Sequence, residues 1–317
     1  MMIRDLAAAL LGSVGSLLPD RVWRTTLRIL LQNRRLIDLY GIDCISQIAS
    51  QLNIVGVSVI GQYGIFTTAP NDDAILKAYA KHGEWASATN RAIQKFFVGG
   101  EGTYLDIGAN IGMTVVPISA QSAVRCFAFE PEPANYRNLQ INIFANCKNN
   151  NVTAFNLALF DRAGVLPFEI SPNNLGDHRI RIGAAGPGRL GEHQRQLIQV
   201  PCARLDELDL PIHGPFFVKI DTQGAEPFVI AGGRGTLARA DAILMEWAPY
   251  YMDRMGADKA IALEFLRAHF AAAKIQRAES DGEGHFQLIG KACEALSKSF
   301  SEWKDNPFEY VDVVAIK

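Results

Sequence analysis

Apolar positions recur along this chain with two different periods, and the switches between them mark out the elements. From residue 101 onward, short apolar runs alternate with stretches of helical spacing. Thr103–Ile107, Val124–Phe129, Val152–Leu159, Phe216–Ile220 and Ala242–Trp247 predict strands. Their nearly continuous apolar character suits strands buried on both faces. Gly112–Ser122, Glu132–Ala145 and Ala257–Phe270 predict helices, with Pro133 accommodated in a first turn. Ala273–Arg277 and Val311–Ile316 predict two further strands. Alternation of this kind predicts a mostly parallel sheet covered on both faces by helices.

The first hundred residues read differently. Asp20 to Tyr40 carries Val22, Trp23, Leu27, Leu30, Leu31, Ile37 and Leu39 at helical spacing, with Arg21, Arg24, Arg28, Arg34 and Arg35 among them. The preferred reading is a helix whose apolar face docks on the core or on another subunit, in a homo-oligomer. The alternative is a basic amphipathic helix through which residues 1–40 lie on a membrane surface or a glycolipid aggregate. Asn53–Ile60 predicts a strand, Gly61–Phe66 its turn and return, and Asp72–Phe97 one helix stopped by Gly99-Gly100. The organisation expected is a helical accessory region, 1–100, followed by an α/β domain, 101–317. Gly164–Val200 interrupts the alternation with a polar, glycine-rich stretch after the third strand, where a functional or mobile loop is expected.

Composition narrows the class. The chain has 317 residues and is 49% hydrophobic, enough for one large core and a small appendage. A net charge of -2 provides no basic field, and no nucleic-acid partner is expected. Cys44, Cys126, Cys147, Cys202 and Cys293 are odd in number and unpaired in spacing. They predict a reduced, cytoplasmic protein with neither a disulfide framework nor a metal site. The apolar stretch Leu6–Leu18 follows Arg4, but Asp5 precedes it, Pro19-Asp20 follows it, and the small-residue cleavage pattern of a signal peptide is missing. No apolar run reaches the ~20 residues a membrane span needs.

Candidate chemistry sits where the strands end. In Tyr104-Leu-Asp-Ile-Gly-Ala-Asn-Ile-Gly112 an apolar strand ends at Asp106, Gly108 permits a tight turn against a ligand, Asn110 occupies the turn, and Gly112 opens the next helix. A carboxylate at the strand tip suits a cationic ligand better than a pyrophosphate. S-adenosylmethionine, with its ammonium and sulfonium, fits better than NAD, whose G-x-G-x-x-G spacing is absent. Glu130 ends the next strand, the position from which an acid accepts ribose hydroxyls in doubly wound folds. Asn156 and Leu157, near the end of the third, are placed to flank adenine. The fourth strand delivers Asp221 to its tip, close to the expected sulfonium, with Glu226 in the following helical turn. The fifth ends in Glu246 and Trp247, beside the expected substrate cleft, with Tyr250 and Tyr251 as candidate sugar-stacking or rim residues.

The blocks LDIGANIG, FAFEPEP, VKIDTQGAE and ILMEWAP, in this order over roughly residues 100–270, resemble the FkbM family of S-adenosylmethionine-dependent methyltransferases. Asn173–Ile180 is similar to a further segment of that family. The resemblance implies a class I methyltransferase (Rossmann-like) fold: α/β, doubly wound, a mostly parallel seven-stranded sheet, here with an N-terminal helical extension. It also implies O-methylation of a hydroxyl on a saccharide, glycolipid or polyketide-type metabolite. Gln223 stands where the family often has Glu, so no role is given to an acid there.

The cofactor residues expected are therefore Asp106, Gly108, Asn110, Gly112, Glu130, Asn156, Leu157 and Asp221. His178, Asp221 and Glu246 are the catalytic candidates, with His178 as general base because its unperturbed pKa suits neutral pH. Two rivals are an NAD-dependent oxidoreductase and a non-catalytic protein on a relic methyltransferase fold. The retention of Asp106, Glu130 and Asp221 argues against the second.

Overall fold

The apolar runs that end in an acid form the centre of the main sheet. The structure, a computed structural model, describes residues 56–317 except 73, 122, 173, 183–187 and 278–283. The basic helix expected within 20–40, Cys44 and the start of the strand expected at Asn53 lie outside the described residues. The chain divides into two compact units, Met1–Trp85 with Pro172–Gly176, and Ala86–Ser171 with Asp177–Lys317.

In the first unit, strands β1 (Val57–Gly61) and β2 (Gly64–Thr68) form an antiparallel hairpin, and helix α1 (Ile75–His82) follows. Asp72 starts that helix: one carboxylate oxygen accepts from the Ile75 N–H at 3.0 Å, and the other accepts from the Thr68 hydroxyl at 2.9 Å. Gly83 ends it in the left-handed conformation, φ 76°. The single helix expected over Asp72–Phe97 is therefore two, since neither Gly83 nor Ala86 (φ 51°) continues a right-handed helix.

The second unit begins with α2 (Ser87–Phe96). It continues through β3 (Glu101–Ile107), α3 (Val115–Ser119), β4 (Ala123–Phe129), α4 (Pro133–Asn146), β5 (Val152–Phe155) and β6 (Ala158–Leu159). Next come β7 (Gly164–Ile170), β8 (Arg179–Ile180), β9 (Gln196–Ala203) and β10 (Phe216–Ile220). After these follow α5 (Glu226–Gly232), α6 (Arg234–Leu237), β11 (Ala242–Trp247), α7 (Pro249–Arg254) and α8 (Lys259–His269). The unit closes with β12 (Ala272–Gln276), β13 (Gln287–Leu288), α9 (Ile289–Trp303) and β14 (Val311–Ile316).

The main sheet runs β13-β12-β14-β11-β10-β3-β4-β5, with β11, β10, β3, β4 and β5 parallel and β14 inserted antiparallel beside β11. It is the doubly wound, mostly parallel sheet expected, but it has eight strands among the described residues rather than seven. The addition is β13, whose two residues are too few to show a period. The chain builds outward from β3 in one direction through β4 and β5, and in the other through β10 and β11. The switch point of the topology, where doubly wound sheets place their ligands, therefore lies between the tips of β3 and β10.

Two expectations change in the second unit. Val152–Leu159 is not one strand: it breaks at Asn156-Leu157, so that β5 stays in the main sheet and β6 joins another. The insertion Gly164–Val200 is largely not a loop. β7 and β9 pair antiparallel along their whole length and, with β6 and β8, make a four-stranded sheet in the order β6-β9-β7-β8. Leu166, Phe168 and Val200 from this sheet share one apolar core with Leu105, Phe127, Val218 and Ile243 of the main sheet.

At the switch point the backbones come very close. A Cβ on Gly108 (φ +81°) would lie 1.8 Å from the Asp221 carbonyl oxygen. Gly108→Ala is therefore expected to lose about 3 kcal/mol or more of stability in urea unfolding, from the collision and the left-handed backbone together. Gly290→Ala, in the first turn of α9 with open space around it, is expected to be neutral or to gain up to about 1 kcal/mol. Equal unfolding midpoints for the two variants would contradict this reading of Gly108.

Candidate active site

Register between β3 and β10 sets Lys219 directly beside Asp106 in the centre of the sheet. Lysine is almost never buried unless paired. Here the Lys219 ammonium is 3.2 Å from Asp106 Oδ1 and 3.4 Å from Asp221 Oδ2, and it donates to the Gly108 carbonyl at 3.1 Å. Burial alone would lower its pKa, but Asp106 and Asp221 outweigh that and raise it. Asp106 is wholly buried, and its other oxygen accepts from the Thr114 hydroxyl at 2.5 Å. Both oxygens of Asp106 are thus engaged within the protein. Thr114 is drawn back to β3 in this way, and Asn110 (φ 51°) and Gly112 (φ 93°) are left-handed, which is why α3 starts at Val115 rather than Gly112.

The tip of β4 is tied to the same turn. Glu130 accepts from the Asn110 N–H at 2.9 Å and from the Glu132 N–H at 2.8 Å. A carboxylate has about four acceptor positions, so capacity remains for hydroxyl donors. Burial raises the Glu130 pKa to about 8 against those two bonds. Asn156 donates to the carbonyls of Glu130 and Pro131, both at 2.9 Å, so its amide holds the β4 tip in place. Leu157 is partly buried against the core. The missing Cβ of Gly112 faces Leu139 of α4 at 2.8 Å, a packing requirement of the helix layer.

A second group of acids surrounds the tips of β10 and β11. The Gln223 amide donates to Asp221 Oδ1 and to Glu246 Oε2, both at 3.0 Å, from a residue with φ 55°. A glutamate could make neither bond in its ionised form. Antiparallel register sets Asp312 of β14 opposite Glu246. Glu226 is wholly buried and accepts from the N–H groups of Thr222 (2.8 Å) and Gly224 (3.0 Å), which shapes the turn after β10. Burial, then the neighbouring acids Asp221, Glu226 and Asp312, raise the Glu246 pKa well above the usual carboxylate range. Burial likewise raises Glu226 and Asp312, each to about 7. Asp221 is the open member of the group, its side chain 36% exposed.

The structure thus gathers Asp106, Gly108, Asn110 and Glu130 at one side of the switch point and Asp221 and Glu246 at the other, with Lys219 between them. His178 immediately precedes β8 of the smaller sheet. Its Nδ1 accepts from the Ser171 N–H at 2.9 Å, which leaves the proton of the neutral ring on Nε2. Burial, then the Arg195 and Arg179 guanidinia, lower its pKa to about 4. A ring with one nitrogen engaged and the other protonated suits poorly the general base expected from the sequence. Trp247 is core, donating to the Ser299 hydroxyl at 3.2 Å. Tyr250 and Tyr251 are buried, their hydroxyls donating to Glu192 and the Pro307 carbonyl.

Lys219 and Gln223 were not among the residues expected from the sequence. A lone lysine inside the apolar run Phe216–Ile220 was the available signal for the first. Among the described residues no group of three or more His, Cys, Asp or Glu side chains is placed to hold a metal ion, and no helix is long and apolar enough to cross a membrane.

Residues 106–286, more than half of the chain, match the model of the methyltransferase FkbM domain. Among solved structures, the chain is similar to methyltransferase FkbM from Methylobacillus flagellatus KT, with 12% identity and a TM-score of 0.40 over 69% of this chain and 44% of that one. It therefore spans less than half the length of that relative. It is similar to M. jannaschii TYW2 in complex with AdoMet at 13% identity and a TM-score of 0.40, covering 82% of this chain and 85% of that one. It is also similar to the O-methyltransferase from Bacillus cereus in complex with SAH, at 12% identity and a TM-score of 0.38, covering 74% and 83%. No curated protein matches the sequence. The family match, over the segment that holds the acid-tipped strands and the turns between them, is what classifies the protein: this chain belongs to the FkbM methyltransferase domain family.

Proposed function

We propose that the chain is an S-adenosylmethionine-dependent O-methyltransferase acting on a hydroxyl of a saccharide, glycolipid or related metabolite. The observation that supports it most is the collection of acids at the switch point, Glu130, Asp221 and Glu246, around the single ammonium of Lys219 that pairs with Asp221. Such a site suits a ligand that is cationic at one end and carries hydroxyl donors in the middle. When bound, S-adenosylmethionine supplies a methyl group activated by a sulfonium. Glu130 has acceptor capacity for the ribose hydroxyls, and Asp221, whose side chain is part-exposed, turns its carboxylate toward the cationic end. Asp106 acts indirectly, by fixing Lys219 and through it Asp221.

The remaining tasks fall to the protein: to align the acceptor hydroxyl and to remove its proton. We assign the proton to Glu246 rather than to His178. Burial and the neighbouring acids give Glu246 a higher proton affinity than an ordinary carboxylate, which makes its ionised form the stronger base. Gln223 holds its Oε2, leaving Oε1 to take the proton. Positive charge placed beside Glu246 favours its carboxylate form and so readies it for that step.

In the presence of S-adenosylmethionine and a panel of hydroxylated saccharides, the wild-type chain is expected to release S-adenosylhomocysteine with at least one acceptor. Glu246→Gln should lower turnover by about 10²–10⁴-fold with cofactor affinity nearly unchanged. His178→Ala should keep turnover within a few fold and lose about 1 kcal/mol of stability with its bond to Ser171. The reverse pattern would return the base to His178.

The same proton affinities link stability to pH. Glu130, Glu226 and Asp312 keep protons in the folded chain up to about pH 8, 7 and 7, whereas unfolded they ionise near 4.5, 4.5 and 3.8. Over pH 6.5–8 His178 is neutral when folded and loses about half a proton when unfolded, an opposing contribution smaller than that of the three acids, so these acids decide the slope. The folded state binds more protons there, so stability of the ligand-free chain should fall as pH rises. Urea midpoints at pH 6.5 and 8 test this. Asp312→Asn should flatten the slope, and a midpoint rising with pH in the wild type would refute it.

A further inference from the structure

The smaller sheet carries a buried charge network that methyl transfer, as assigned above, does not use. Asp177 sits between two guanidinia, accepting from Nη2 of Arg179 and Nη2 of Arg195. Glu169 pairs with Arg181 at 2.9 Å and lies 3.4 Å from both Arg179 Nε and Arg195 Nη1. Glu192 is matched separately by Arg254 at 3.2 Å. Three guanidinia therefore share two carboxylates, and the group carries an excess positive charge.

That excess is buried. The side chains of Arg179 and Arg195 are 4% and 5% exposed. Three of their donor nitrogens have no hydrogen-bond partner: Nε and Nη1 of Arg179, and Nε of Arg195. The approach of Arg179 Nε to Glu169 is an ion-pair distance without hydrogen-bond geometry. An uncompensated buried cation with orphaned donors is costly to a fold. The planar fork of arginine is matched to carboxylate and phosphate oxygens, and an oxyanion would satisfy both the charge and the donors.

The network adjoins the active-site carboxylates through one side chain. The Arg179 guanidinium lies over the Tyr251 ring, 4.0 Å from its centroid. The main chain of Tyr251 abuts the turn after β10: a Cβ on Gly224 would lie 2.6 Å from the Tyr251 carbonyl carbon. Gly224 follows Gln223, which holds Asp221 and Glu246. Tyr251 is thus a common wall, packed against the turn that carries the acids and against the guanidinium.

We propose that Arg179 and Arg195 bind an anionic substituent of the methyl acceptor, a carboxylate or a phosphate ester carried near the hydroxyl to be methylated. The acceptor is then an acidic hydroxy compound, such as a uronate-type or phosphorylated sugar. Acids at the switch point take the cationic ligand, and guanidinia behind Tyr251 take the anionic one. Naming the ligand as the acceptor rests on the methyltransferase reading, but the anion site does not.

Thermal unfolding of the full chain tests the site, with inorganic phosphate and with acetate, each compared with sodium chloride at equal ionic strength. A saturable rise in Tm is expected with at least one of them. A response to phosphate alone points to a phosphate ester, and a response to acetate points to a carboxylate. Arg179→Met should abolish the response while leaving the calorimetric affinity for S-adenosylmethionine unchanged. Should that variant fail to fold, Arg179→Lys decides: a response about tenfold weaker supports the site, and an undiminished one overturns it. No saturable shift in the wild type, or an equal shift in Arg179→Met, also overturns it and makes the network purely structural. A wild type that responds to anions and does not bind S-adenosylmethionine would refute the methyltransferase reading, and the acceptor assignment with it, while the anion site stood.

Discussion

An ammonium group held between two strand tips organises the functional end of this protein. Lys219 is the fourth of the five residues of β10, buried between parallel neighbours, and it is compensated by Asp106, Asp221 and the Gly108 carbonyl. Breaking such a buried pair by removing one partner typically costs ~3–5 kcal/mol, because the other charge is left stranded. Everything at the switch point is referenced to this arrangement. Asp106 is spent on Lys219 and Thr114, Thr114 sets where α3 begins, and Asp221 is held at one oxygen so that the other can bond Gln223.

The acids beyond Lys219 are incompletely neutralised, and that imbalance gives the site its chemistry. Glu130, Glu226, Glu246 and Asp312 all hold protons more tightly than ordinary carboxyls, burial being the first cause in each case. A site in this condition gains by receiving positive charge. The smaller sheet presents the opposite condition, with guanidinia in excess of carboxylates. The Tyr251 ring, packed on Arg179, belongs to a residue whose main chain abuts Gly224. The two imbalances are of opposite sign, as the proposed pairing of a cationic donor with an anionic acceptor requires.

The acid-tipped strands were legible in the sequence because each is an apolar run that stops at a carboxylate: Asp106, Glu130, Asp221 and Glu246. Their convergence follows from strand order, which the β/α alternation implies. What the sequence could not show depends on pairing between distant residues. Lys219 meets Asp106 across 113 positions, and only register between β3 and β10 reveals it. The glycines of the smaller sheet point to a loop, and Glu169, Asp177 and Arg179 look solvated until their partners are known. Residue type alone points to His178 as a base, but burial, and then guanidinia from beside β9 and from β8, lower its pKa. Tyr250, Tyr251 and Trp247 could equally have been rim or core, since spacing along β11 and α7 does not distinguish the two. Helix α9 buries Ala292, Cys293, Leu296 and Phe300 at helical spacing, a period visible in the sequence but not assigned from it.

The central claim is that the under-neutralised acids at the switch point receive a cationic cofactor. Calorimetric titration of the wild-type chain with S-adenosylmethionine at pH 7, repeated in two buffers of different ionisation enthalpy, measures it most directly. Binding should be accompanied by net release of protons, as acids that were protonated in the free chain ionise beside the new positive charge. Absence of binding, or binding with no proton released, would contradict it.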